Sequence, residues 1–332
     1  MTVDAKDTPK PRFWLLTSPR TASNLLVKIL NLEAQGIRPA YDGGYFFMKS
    51  AVKRFQTCLQ PLSTWDEQAI QELRDAQQSA FDDLLNYIQG AEAEDQKIFV
   101  KEHVFMMNDP YFESEYEEGK ASYVGQPTPL TVQGLENPTR SPKNLTSMPD
   151  EFLKTWRPTF LIRHPAMMLP SLYRTAAADI EVEGFRRPNN EPVPREVTMK
   201  WIRTLYEFFA DFYGEGSQWP IVLDADDFIK DPALIAKYAP LVGLDADKLR
   251  FSWDKTPEEE IKKRNAMAQR MLSSISASTG IDNSKLAGDV DIDAEAVKWR
   301  EEFGDEGGRK LEQWVRDAIP DYRFLHSKRL RI

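Results

Sequence analysis

Residues 13–32, FWLLTSPRTASNLLVKILNL, read as a strand, a tight loop and a helix. Phe13 to Thr17 is an apolar run too short for a helix and suited to a buried strand, and Leu25 to Leu32 then carries apolar residues at helical spacing. The alternation recurs: KIFVK at 97–101, TFLIR at 159–163 and PIVLD at 220–224 are three further short strands. Helical patterns separate and follow them. The clearest spans 64–90, with Thr64 and Glu67 as a capping box and Ile70, Leu73, Phe81, Leu84 and Ile88 on one face. Others cover about 165–180, 195–213 (a core-facing stripe of Trp201, Leu205, Phe208 and Phe212), 232–241, 257–277, 291–303 and 308–319. Short buried strands divided by longer helices specify an α/β fold: three layers, a central parallel sheet flanked by helices, and a helical C-terminal part.

The chain has 332 residues without repeat or clear boundary, so the expectation is one domain over 1–332. Residues 1–12 are polar and read as a flexible tail. Residues 108–147 mix Pro, Gly, Asn, Ser and acidic side chains without periodicity and read as a long loop or lid. The 43 basic and 52 acidic side chains leave a net charge of −9, which argues against a general binder of nucleic acid or anionic membrane. Cys58 is the single cysteine, so neither an intrachain disulfide nor a thiolate zinc site is available. The N-terminus lacks the apolar core of a signal peptide, and no run reaches the roughly 18 to 20 apolar residues that span a bilayer. A cytoplasmic location is expected.

Open parallel sheets bind ligands beyond the carboxyl ends of their strands. Three of the four strands end in groups able to handle an anion or a proton: the loop after Thr17, then Lys101 and His103, then Arg163. In the loop, Ser18, Pro19, Arg20, Thr21, Ala22, Ser23 and Asn24 combine hydroxyls, an arginine and backbone N–H groups at a helix start, which is an oxyanion cradle. It lacks the glycines and lysine of a Walker A loop. Taken singly, each feature has a plainer reading: an N-capped helix, a hydrogen-bonded structural histidine, a surface arginine. Pro170 removes one backbone bond from the helix after Pro165, so that helix either begins late or bends beside Ser171.

Taken together, these segments resemble the sulfotransferases that use 3′-phosphoadenosine 5′-phosphosulfate (PAPS). FWLLTSPRTASNLL is similar to their 5′-phosphosulfate loop, FLIRHPAMMLPSLYR to their 3′-phosphate motif with Arg163, Pro165 and Ser171, and FVKEHVF to their strand-ending Lys-x-His segment. Residues 222–243 also resemble the family's strand, acidic turn and helix. Departures are Ala22 for the usual loop glycine, Ser23 and Asn24 for two threonines, and Leu25 where many soluble members carry a tryptophan. The family's Arg-Lys-Gly loop is not visible, and Lys262, Lys263, Arg264 and Arg270 are the nearest basic cluster.

The resemblance implies sulfuryl transfer from PAPS, without a metal, to a hydroxyl or amine of a small-molecule acceptor, leaving 3′,5′-adenosine bisphosphate. His103 would be the general base, Arg20 the stabiliser of the departing phosphate, and Lys101 a third catalytic group on the leaving side. Ser18 to Asn24 would hold the 5′ end, and Arg163 with Ser171 the 3′-phosphate. Tyr41, Tyr45, Phe46, Phe47 and Phe105 would line the acceptor pocket. Neither nucleic acid nor membrane is an expected partner, and a homodimer is left open. The competing readings are an ATP-dependent small-molecule kinase, suggested by Asp224 at a strand end, and a repurposed member that binds a nucleotide or another ligand.

Overall fold

The computed structural model describes residues 10–40, 44–56, 60–119, 126–181 and 187–331. Among them four strands, β1 (Arg12–Thr17), β2 (Ile98–His103), β3 (Trp156–Ile162) and β4 (Ile221–Asp224), form one sheet in the order β2-β1-β3-β4. Every pairing is parallel, and the register sets Thr17 beside both His103 and Leu161, and Ile162 beside Asp224. Successive side chains of a strand point to opposite faces. Trp14, Leu16, Val100 and Phe160 therefore build one core, and Phe13, Leu15, Phe99 and Leu161 the other.

Among the described residues twelve α-helices occur, in chain order α1 (Ser23–Leu30), α2 (Met48–Gln56), α3 (Glu67–Ala93), α4 (Pro110–Glu118), α5 (Asp150–Leu153), α6 (Pro165–Ala176), α7 (Lys200–Tyr213), α8 (Ala225–Lys230), α9 (Ala233–Leu241), α10 (Glu258–Lys262), α11 (Ala266–Ala277) and α12 (Ile292–Ser327). The first core is closed by α2, α3, α6, α7 and α12, and the second by α1, α8, α9 and part of α11. The result is the three-layer arrangement with a helical C-terminal part expected from the strand and helix pattern.

Several boundaries differ from those expected. The long helix starts at Glu67 and is capped by Asp66, whose carboxylate accepts from the Ala69 N–H at 2.8 Å, so Thr64 and Glu67 form no capping box. In α7, Phe209 is fully buried while Phe212 is 44% exposed, because the buried stripe continues through Phe209 instead. Within 108–147, α4 is a helix capped by Asp109, and Leu130, Asn144 and Thr146 are buried. Asn144 donates to Asp150 of α5 at 2.9 Å, which fastens this segment to the body, and Arg140 pairs with Asp109 at 3.1 Å within it. The 257–277 pattern divides at Asn265, the cap of α11. The last two expected helices are one, kinked at Gly304, where a φ of 77° favours glycine. Arg12 belongs to β1 and not to the tail, and α6 begins at Pro165 and runs through Pro170. Tyr41 and Cys58 lie outside the described residues.

Candidate active site

The site forms where β1, β2 and β3 end side by side. After Thr17 the backbone turns through two left-handed residues, Arg20 at φ 66° and Ala22 at φ 61°. Alternating left- and right-handed residues turn successive N–H groups toward one point, which makes an anion-binding concavity. For a residue with a Cβ, the left-handed conformation costs roughly 1–2 kcal/mol. That cost explains why glycine suits the position of Ala22. Thr21 closes the loop by donating to the Ser18 carbonyl at 2.8 Å, and the Ala22 carbonyl receives the first helical bond, from Leu26, at 3.1 Å.

His103 ends β2, 5% exposed. Its Nδ1 lies 2.6 Å from Thr17 Oγ1, which also lies 3.2 Å from the Glu102 carbonyl. A single tautomer satisfies both contacts: Nδ1–H donates to the threonine oxygen, and the threonine proton goes to the carbonyl. Nε2 is then left with a lone pair, as a general base requires. The rings of Tyr45 and Phe105 flank the imidazole at 4.8 and 6.1 Å. Burial pushes its pKa down to about 3, and the charges of Lys101 and Arg20 push in the same direction.

Lys101, equally buried, donates from Nζ to Asn24 Oδ1 at 2.6 Å and sits 4.4 Å from the Tyr45 ring centroid. Burial lowers its pKa to about 8 against the smaller opposing pull of Glu102. Phe46 and Phe47 are core residues, Phe46 packing against Tyr87 at 5.3 Å. Of the described aromatic candidates, Tyr45 and Phe105 are the two that stand beside the imidazole.

Arg20 and Arg163 converge from different strands. Arg20 Nε donates to Ser171 Oγ at 2.9 Å, and a second nitrogen donates to the Met271 carbonyl at 3.0 Å. Arg163, one residue beyond β3, donates to the Arg20 carbonyl at 3.4 Å and the Lys285 carbonyl at 2.6 Å, while its buried Nε has no partner. Burial lowers both arginine pKa values; Arg163 and Arg270 lower that of Arg20 further, whereas Asp226 and Asp224 oppose the shift at Arg163. Among the described residues neither guanidinium has a carboxylate within ion-pair distance. The loop, the strand-end lysine and histidine, and the Arg163–Ser171 pair therefore share one end of the sheet.

Residue types gave no notice of the C-terminal contribution, because Met271 and Lys285 enter through backbone carbonyls. Asp226 also belongs here, accepting from the Ala287 N–H at 2.7 Å. Arg270 alone of the basic cluster acts on Arg20, and it donates to the Arg174 carbonyl at 3.0 Å. Lys262 and Lys263 are exposed. His164 caps α6, accepting from Ala166 at 3.2 Å, and His326 packs on Tyr322.

A three-layer α/β fold with cations held out of ion-pair contact beside a base at the strand ends describes an enzyme that transfers an anionic group. No protein-family model matches the chain. Two solved structures, the sulfotransferase domains of the Synechococcus PCC 7002 olefin synthase and of the curacin biosynthetic pathway, each align with 89% of this chain and with 95% and 98% of their own, at 14% and 13% identity and TM-scores of 0.38 and 0.37. The sulfotransferase ppzF of Metarhizium majus (strain ARSEF 297) is 39% identical over 341 residues, 98% of each chain, and that of Metarhizium rileyi (strain RCEF 4871) is 39% identical over 338 residues, 96% of each. The chain belongs to the sulfotransferases and is an enzyme of sulfuryl transfer.

Proposed function

We propose that the sulfuryl donor is PAPS and that the acceptor is a hydroxyl or amine of a small molecule. The observation that carries the reading is the convergence of Arg20, Ser171 and Arg163 beside the anion loop, with His103 and Lys101 one strand away. The residues fit such a donor: among the described residues the half-buried Arg20 and the buried Arg163 bond neutral groups, and Arg163 Nε is unpartnered. When bound, the donor supplies a sulfuryl group on a phosphate leaving group. Ser18 to Asn24 would hold its 5′ end through backbone N–H groups and side chains, and Arg163 with Ser171 its 3′-phosphate. Arg20 and Lys101 would balance charge developing on the leaving oxygen. His103 Nε2 would take the acceptor proton, with Thr17 fixing the ring. Tyr45 and Phe105 would form walls of the acceptor site.

Asp224, the residue that suggested a kinase, caps α8 and accepts the Tyr322 hydroxyl proton at 3.0 Å. The reading is tested by thermal unfolding: 3′,5′-adenosine bisphosphate without metal is expected to raise the melting temperature, and ATP with magnesium to do so less. Stabilisation by ATP with magnesium alone would overturn it. A cytoplasmic setting agrees with the lone cysteine, and among the described residues no helix is long and apolar enough to cross a membrane.

Lys101 adds a pH dependence. With its pKa lowered to about 8, the free enzyme loses this cation as pH rises through 8, whereas an anion bound beside it favours the charged form and raises the pKa. Bisphosphate affinity should therefore be flat between about pH 7, above the second phosphate ionisation near 6, and pH 8, and fall up to about tenfold per pH unit above it. Lys101→Met should remove that slope in a calorimetric titration; an unchanged slope would exclude Lys101 as its source.

A further inference from the structure

We propose that Glu102 is a positioning residue, whose buried carboxyl fastens the turn at 44–47 to β2 and so holds Tyr45 as a cover over His103 and against Lys101. Glu102 sits between those two residues in sequence but points to the opposite face of the sheet. It is 1% exposed. One carboxyl oxygen accepts from the Phe47 N–H at 3.1 Å and the other from the His103 N–H at 2.8 Å. Among the described residues no basic side chain lies within ion-pair distance of it. A carboxyl taken out of water and bonded to backbone N–H groups is costly to keep, and what it secures is the position of that backbone.

β2 is an edge strand, and residues 37–38 and 44–47 lie along it. Ile37 bridges Lys97, and Arg38 N–H donates to the Lys97 carbonyl at 3.0 Å. At Gly44 the approach is so close that a Cβ would stand 2.7 Å from the Lys101 carbonyl oxygen and 2.9 Å from its nitrogen, with φ at 107°. Gly44 anchors one end of the turn, and Phe46 and Phe47, rooted in the first core, anchor the other. Tyr45 between them is left over the imidazole and under the Lys101 ammonium. A sealed base excludes water from competing with the acceptor.

The test reads access to the imidazoles of the free enzyme. Diethyl pyrocarbonate acylates accessible neutral imidazoles, and with three histidines in the chain peptide mass mapping resolves each one. In the wild type His103 should react at least about tenfold more slowly than His326. Glu102→Ala should raise the His103 rate about tenfold, with His164 and His326 unchanged. Glu102→Gln, which keeps one acceptor oxygen, should fall between the two. Tyr45→Ala should give the same rise, and the double variant Glu102→Ala/Tyr45→Ala no more than either single one. Gly44→Ala, which pushes the turn off the edge with Glu102 intact, is a second route if Glu102→Ala does not fold.

A His103 rate within about twofold of wild type in Glu102→Gln and Gly44→Ala, or rates that multiply in the double variant, would overturn the proposal. Its catalytic meaning rests on His103 as the base, so bisphosphate-induced stabilisation is measured alongside. Loss of that stabilisation with the acylation pattern intact would reject the donor reading and not the cover.

Discussion

His103→Ala is expected to lower sulfuryl transfer by about 10²- to 10⁴-fold, the usual worth of a positioned acid-base group, while leaving bisphosphate affinity within a few-fold of wild type. The split follows from placement. The imidazole touches Thr17, Tyr45 and Phe105, whereas the groups that would grip the nucleotide are Arg20, Arg163, Ser171 and the loop. Transfer is measured as bisphosphate release with a panel of phenol and amine acceptors. The pH profile supplies a second check. A base must be unprotonated, and burial together with two neighbouring cations holds the free-enzyme pKa down near 3. As pH falls through the ordinary histidine value of about 6.5, the base therefore stays competent, and the acid limb of kcat/KM should lie below that value. Near-normal turnover in the variant would remove His103 from the mechanism.

Arg163→Ala should weaken 3′,5′-adenosine bisphosphate about 10- to 150-fold, from the roughly 1.5–3 kcal/mol of a charge-assisted hydrogen bond. Adenosine 5′-phosphate should lose far less. The asymmetry is the informative part, because Arg163 approaches from the end of β3 and bonds the loop through the Arg20 carbonyl alone. Among the described residues its Nε is unpartnered, and its other terminal nitrogen bonds the Lys285 carbonyl, outside the loop. Calorimetric titration of both nucleotides decides the matter, and equal losses would reject a 3′-phosphate clamp.

The sheet was readable because each strand is short, holds an apolar run of three or four residues and is separated from the next by periodic helices, a pattern that little except a doubly covered parallel sheet produces. Boundaries were less so. Asp66, one residue before the first helical turn, competes with Thr64 for the same role, and only backbone geometry shows which carboxyl or hydroxyl reaches an N–H. The α12 kink was hidden because one glycine marks either a break or a bend. At the candidate site, Arg20, His103 and Arg163 were legible from charge and proton chemistry at strand ends, and Ser171 only through the family resemblance. Glu102 was not: a glutamate between Lys101 and His103 looks solvent-facing until the alternation of the strand turns it into the core. The carbonyls of Met271 and Lys285 could not be found from side-chain identity at all, since every residue carries one.

Those two carbonyls have a consequence for which molecules the cleft admits. Each arginine already has a neutral dipole to bond, so a newcomer must offer more than an equivalent oxygen before exchange becomes favourable. A guanidinium bonded to a carbonyl is ionised on one side only, whereas a guanidinium–phosphate contact is ionised on both sides and can be bidentate. An uncharged nucleoside therefore gains almost nothing by displacing the chain's own oxygens, whereas a phosphorylated one wins at each position. With the proposed donor, the fold would set a threshold of ionic charge for entry, ahead of any discrimination by shape.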